Sequence, residues 1–131
     1  NEFVLKIQQS RRLALYEGHF RRNFVGIRDV AEAFMFAAKS RIRGIYNLGH
    51  PESNLTKREL AYRICDELGL SREIILERDG HDPDQRNYFV SNEKILSTGF
   101  SFRHSLNEGI LEVAKFCTKI GDEQIKRMRN S

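Results

Sequence analysis

Two stretches of this chain carry a complete helix start followed by a single apolar stripe, and they limit what the rest can be. In "LTKRELAYRICDELGL", Thr56 can cap the first turn and Glu59 can return the bond, with Leu55 and Leu60 at the two positions of a hydrophobic staple. Leu60, Ile64, Cys65 and Leu68 then repeat at the spacing of one buried face, and Gly69 supplies the stop. In "SLNEGILEVAKFC", Ser105 and Glu108 repeat the device ahead of Leu106, Ile110, Val113, Ala114 and Cys117. Each helix has one apolar face to bury, so the chain must supply other elements to cover it.

Those elements are short. "NEFVLKIQQ" opens in helical periodicity, with Phe3, Val4 and Ile7 on one face and no capping residue before them, so the chain is expected to begin inside something larger. "LALYEG" (13–18), "NFVGI" (23–27), "GIYNLG" (44–49), "EIILE" (73–77) and "YFV" (88–90) read as strands. Between them, Asp29 fits an N-cap reciprocated by Glu32. Val30, Ala33, Phe34, Ala37 and Ala38 would form a buried face, and Ser91 opens a further helix that closes near Gly99. Residues 78–87, "RDGHDPDQRN", are an irregular polar loop, and the segment after residue 120 is expected to be a mobile basic tail. The pattern is α/β.

With 131 residues the chain can bury one continuous core. Charged residues make up 31% and the net charge is +4, a mild excess that suits an anionic small molecule better than a dedicated nucleic-acid face. Cys65 and Cys117 fall on apolar helix faces without metal or redox spacing, and read as buried free thiols in a reducing compartment. No apolar run approaches the roughly 20 residues that span a bilayer, and no signal pattern opens the chain, so the expected location is cytoplasmic.

Catalytic patterns are sparse. His19, His50, His81 and His104 lie in turns without metal-ligand spacing, no serine occupies a nucleophile elbow, and neither GxGxxG nor GxxxxGK[ST] is present. Arginines in loops remain. Arg22 stands at a strand start, and Arg86 lies beside Asp82, Asp84 and Tyr88. Guanidinium groups suit bidentate contact with phosphate, but composition alone favours reading the same residues as solvated arginines or partners of those aspartates. His81 reads as a turn histidine, and a basic nucleic-acid module using Arg11, Arg12, Arg21, Arg22, Arg41 and Arg43 is a further reading that no stacking platform supports.

"RRNFVGIRDVAEAF" resembles the R-D-F-x-x-V-D-D-V-A stretch of extended short-chain dehydrogenase/reductase enzymes, the NAD-dependent nucleotide-sugar epimerases and dehydratases. "GIYNLG" is similar to their G-x-Y-N-x-G strand, and "LTKRELAYRICDELG" to the substrate-lobe helix. "DPDQRNYFVSNEKILSTGF" is similar to D-P-x-x-R running into S-x-x-K-x-x-x-x-G-[FW], and "SLNEGILEVAKF" to the closing S-L-x-E-G-[IL] helix. The likeness runs in order over residues 13–118, with Asn23 in place of an aspartate and Arg28 in place of the first aspartate of the D-D pair.

The resemblance implies a fold: the C-terminal substrate-binding lobe, helices with short strands, of a Rossmann-type enzyme whose N-terminal Rossmann core, glycine-rich turn and Tyr-x-x-x-Lys pair are absent here. Residues 1–120 would be that lobe. It also implies that Arg22 and Arg86 contact the substrate diphosphate, with Arg21 exposed and His81 and Asn47 as further substrate-binding positions. No catalytic residue and no metal would belong to this chain. The parent enzyme would be an epimerase, with dehydratase or decarboxylase as variants, or a pseudo-enzyme relative. It would bind a nucleotide-diphosphate sugar and NAD or NADP, which this chain alone would not hold. Its partners would be the Rossmann portion and a second copy in a homodimer, with no nucleic acid and no membrane.

Overall fold

Leu13 and Leu15 are buried while Ala14 and Tyr16 face outward, the two-residue alternation of a strand with one covered face. This strand, β1 (Leu13–Tyr16), pairs in parallel with β4 (Ile75–Arg78), Leu13 opposite Ile75 and Tyr16 opposite Arg78. A parallel pair needs a long crossover. The crossover here holds β2 (Arg21–Asn23), α2 (Ile27–Ser40), β3 (Asn54–Thr56) and α3 (Lys57–Glu67). The computed structural model describes residues 1–119, so the expected tail at 121–131 lies outside the described residues.

The main core is built where the apolar stripes meet this pair. Val4 and Ile7 come from α1 (Glu2–Leu5) and the wider helical turn Lys6–Ser10 that continues it. Ala61, Ile64 and Cys65 come from α3, and Ile110 and Ala114 from α5 (Leu106–Cys117). Full burial of side chains such as Leu13, Leu15 and Ile64 contributes about 1.5–3 kcal/mol each. Both capping boxes form as the sequence predicts, at Thr56–Glu59 and Ser105–Glu108, and Cys65 and Cys117 are free and buried. A smaller cluster joins Ala33 to Ile95 of α4 (Glu93–Leu96) and to Phe100.

Several expected elements differ. Residues 23–27 are not a strand: β2 ends at Asn23, and Gly26 caps α2, which starts at Ile27. Asp29 is therefore inside the first turn rather than at the cap, and it is fully buried. Its carboxylate accepts from the backbone N–H of Arg103 (3.0 Å) and His104 (3.3 Å), tying the start of α2 to the segment that leads into α5. On α2, Ala33 is buried but Phe34 is 73% exposed and Ala38 is exposed too, because the described residues cover only one side of the expected face.

Residues 44–49 and 88–90 form no strand, since neither finds a ladder partner among the described residues. "EIILE" enters its strand late, a short 3-10 turn (Arg72–Ile74) preceding β4. Asn54–Thr56 also form β3, antiparallel to β2, while Thr56 keeps its expected place as the cap of α3. The helix expected from Ser91 begins at Glu93 after Asn92, with the Ser91 hydroxyl accepting from Glu93 N–H at 3.4 Å.

Candidate functional site

The β2–β3 ladder fixes the direction of Arg22. With Arg22 opposite Leu55, the pleat turns Arg21 and Asn23 to one face and Arg22 to the other, where its side chain is only 10% exposed. The guanidinium lies with its carbon 6.0 Å from the ring centre of Phe20 and 5.6 Å from that of Tyr88, at cation–π distance from both. It donates to the carbonyls of Arg21 (3.0 Å) and Asp84 (2.9 Å), and pairs with the Asp84 carboxylate at 3.2 Å. Arg21 is not free: its guanidinium donates to the Asn54 carbonyl at 2.7 Å, so it braces the ladder.

Three carboxylates then fold the 78–87 loop over Arg22. Glu17, in a left-handed turn (φ 45°) after β1, accepts from the N–H of Asp82 (2.8 Å), from the Gln85 amide (2.9 Å) and from His81 Nδ1 (3.2 Å). Asp82 accepts from Asp84 N–H at 2.8 Å and binds the ammonium of Lys57, the first residue of α3, which also donates to the Tyr16 carbonyl. Asp84 receives a forked pair of bonds from Arg86, Nε to Oδ1 at 2.7 Å and Nη2 to Oδ2 at 2.6 Å. The Arg86 bonds hold the Asp84 carboxyl far below the usual carboxylate range, Lys57 lowers that of Asp82, and the Asp82 N–H lowers that of Glu17.

Arg22, Lys57, Asp82 and Asp84 line an open cleft of about 780 Å³, which Glu2, Arg28, Glu108 and Glu112 also line. Its other walls are the β2–α2 connection at Phe24 and Val25, Leu60 and Ile64 of α3, and Leu106 and Val113 of α5. A volume of that size is ordinary for a small-molecule site. The structure thus brings Arg22 and Arg86 together through Asp84. It leaves His81, 89% exposed at its side chain, on the outer side of the loop against Glu17, and Asn47 exposed in the 44–49 segment. Neither of these two lines the cleft, and Arg86 reaches it only through Asp84, which does.

Sequence reasoning missed Glu17, Lys57 and Phe20. Each is remote from the loop in sequence and joins it through the β1–β4 pairing or the start of α3. It also gave the histidines no metal-ligand spacing, whereas ligand atoms of Asp29, Glu32 and His104 come within 4.8 Å of one another. Their contacts are internal: Asp29 to backbone N–H groups, and Glu32 to His104 (3.5 Å) and Arg103 (3.7 Å).

No protein-family model matches the chain. Solved structures do share its fold. A dTDP-glucose 4,6-dehydratase from Bacillus anthracis str. Ames, in complex with NAD, superposes with a TM-score of 0.74 at 24% identity, over 94% of this chain and 39% of that one. A UDP-N-acetylglucosamine 4-epimerase from Methanobrevibacter ruminantium M1, in complex with UDP-N-acetylmuramic acid, gives 0.75 at 21% identity, over 90% and 38%. An ADP-L-glycero-D-manno-heptose-6-epimerase from Helicobacter pylori gives 0.72 at 23%, over 91% and 37%. The chain therefore shares the mixed helix and strand fold of a portion of these Rossmann-type structures. The chain spans about two fifths of the length of these proteins, 37% to 39%.

Proposed function

We propose that this chain is the C-terminal, substrate-binding portion of an NAD-dependent nucleotide-sugar epimerase, with dehydratase or decarboxylase as variants of the same chemistry. The observation that carries the reading is Arg22: a cation almost withdrawn from water, clasped by two aromatic rings, and aimed with Arg86 at a single anionic position on the rim of a cleft. Guanidinium forks match the paired oxygens of a diphosphate. The sharing of this fold by enzymes whose names and complexes include dTDP-, UDP- and ADP-sugar compounds supports that ligand class.

The role we assign to the chain is binding and orientation. Arg22 and Arg86 would fix the diphosphate, and the apolar walls at Phe24, Leu60 and Val113 would exclude water beside it. NAD supplies hydride removal and return in such enzymes, but the residues here do not fit it. β1 runs through the Glu17 turn into β2 rather than into a helix, and at the β3–α3 junction the first helical side chain, Lys57, is already bonded to Tyr16 and Asp82. No step is therefore assigned to this chain through the cofactor. We assign cofactor binding to an N-terminal Rossmann portion, with the exposed Ile27, Phe34 and Met35 of α2 as the docking face, and a homodimer as the working assembly.

Calorimetric titration of UDP-, dTDP-, GDP- and CDP-sugars, and of NAD, into the chain tests the reading. Binding of one or more nucleotide sugars that is lost in Arg22→Ala, with no binding of NAD, is the expected result. Tight stoichiometric binding of NAD, or nucleotide-sugar binding indifferent to Arg22, overturns it.

A further inference from the structure

The anionic position that Arg22 and Arg86 share is filled by the protein itself. Asp84 lies two residues from Arg86 and bonds it through both oxygens, while Arg22 pairs with the same carboxylate and with the Asp84 carbonyl. Resting on the reading of this pair as an anion clamp, we propose that Asp84 is a specificity-determining residue: an internal carboxylate that shuts monoanions out of the clamp and admits only a polyanion such as a diphosphate.

The argument is one of competition. An acceptor tethered two residues away acts at an effective concentration of about millimolar or more. Its geometry with Arg86 is the forked pairing that a free carboxylate would itself adopt. A singly charged ligand offers the arginines nothing that Asp84 does not already offer, so exchange gains it little. A diphosphate carries more charge and more acceptor oxygens, enough to engage both guanidinium groups at once, which a single displaced carboxylate does less completely.

The loop is built so that this exchange need not unfold it. Glu17 and Asp82 hold the loop at the N–H groups of Asp82 and Asp84 and at the side-chain amide of Gln85 without using the Asp84 side chain, and Asp82 is itself anchored on Lys57. What the Asp84 side chain gives the loop is a local turn, Oδ1 accepting from Arg86 N–H at 3.2 Å. An asparagine can make that same bond through its amide oxygen. Asp84→Asn therefore removes the charge and leaves the turn.

The test is titration of inorganic pyrophosphate and of acetate into the wild-type chain, Asp84→Asn, Asp84→Ser and Arg22→Ala, each checked for folding by circular dichroism. Asp84→Ser serves if the asparagine variant fails that check. The expected result is pyrophosphate binding about tenfold tighter without the carboxylate, the equivalent of one charge-assisted hydrogen bond released from competition. Acetate binding should be measurable only in the Asp84 variants. Pyrophosphate binding that is unchanged or weaker in a folded Asp84 variant overturns the proposal while leaving the clamp standing. A wild-type chain that binds pyrophosphate no better than Arg22→Ala removes the clamp itself, and the proposal with it.

Discussion

Arg22 and Arg86 face each other across one carboxylate, that of Asp84, yet they do so from opposite environments. The Arg22 side chain is 10% exposed and locked between Phe20 and Tyr88, whereas that of Arg86 is 72% exposed and held by Asp84 alone among the contacts described. The first is buried in the wall of the cleft and the second lies out in solvent, and substitution should separate them.

On the proposed reading of the pair as a diphosphate clamp, Arg22→Ala would remove a charge-assisted contact of about 1.5–3 kcal/mol, and Arg86→Ala its counterpart. Each should weaken nucleotide-sugar binding by roughly ten- to a hundredfold. Of these two, only Arg22→Ala should also lower stability, by about 1–3 kcal/mol, because it unclasps the rings, removes a donor to the Asp84 carbonyl and leaves the Arg21 carbonyl with the Tyr88 N–H alone. Arg21→Ala loses its bond to Asn54 and should cost stability of about 1 kcal/mol with less than about twofold change in affinity. Calorimetry paired with urea unfolding checks all three, and an affinity loss at Arg21 equal to that at Arg22 would reverse the assignment.

The loop that carries Arg86 should loosen in acid. Glu17, Asp82 and Asp84 are all held below their ordinary values, by the Asp82 N–H, Lys57 and Arg86 respectively. A depressed folded value means stability that is in place above the unfolded value, about 3.9 for Asp and 4.3 for Glu, and lost as pH falls through the folded ones. Amide exchange and NMR shifts at Gln85 and Arg86 should therefore be flat from neutrality to about pH 4.5 and change below it, before those of Leu15 and Ile75 in the parallel pair. Loosening of the loop between pH 6 and 7 instead would contradict this account.

The α2 face is the place where the chain is least self-sufficient. Ile27, Phe34 and Met35 are 77%, 73% and 58% exposed, and Ile27 and Phe34 stand seven residues apart, on one side of the helix. If that side docks another body, Phe34→Glu should reduce self-association of the chain without lowering its melting temperature by more than a few degrees. Light scattering and thermal unfolding measure the two effects. A wild-type chain that stays monomeric at high concentration would leave this face without the docking role assigned to it.

What sequence made legible followed from how local each signal was. The capping boxes at Thr56 and Ser105 and the stripes behind them are local patterns, and both helices stand where those patterns put them. Strands fared worse because a strand is completed by its neighbour: residues 13–16 found Ile75–Arg78, while 44–49 and 88–90 have no ladder partner among the described residues. Asp29 shows the same limit at one residue. Its side chain suits a cap, but the N–H groups that claim it belong to Arg103 and His104, more than seventy positions on. The pairing of Arg22 with Arg86 came through the resemblance, and the carboxylate between them needed the coordinates, since a loop rich in both charges does not say which partners meet.

Asn23, the departure from the family's aspartate, makes the sharpest prediction. Its amide donates to the His50 carbonyl at 2.9 Å and accepts from the His50 N–H at 2.8 Å, a two-way bond that an aspartate, an acceptor only, cannot complete. Gly49 makes room for it: a Cβ there would lie 2.4 Å from Asn23 Oδ1 and 2.6 Å from Cγ, far inside contact distance. Gly49→Ala should therefore expel the amide, leaving the buried His50 N–H without its acceptor and the His50 carbonyl with the Ser53 N–H alone, a loss of about 2–4 kcal/mol from the clash and the unmade bonds together. Asn23→Asp should lose about 1–3 kcal/mol by turning one donor into an acceptor facing a carbonyl. In the double variant the two losses should not add, because the glycine substitution has already removed the bond that the aspartate spoils. Urea unfolding of the two single variants and the double variant measures the coupling. Full additivity would show that Gly49 and Asn23 act independently, against the contact described here.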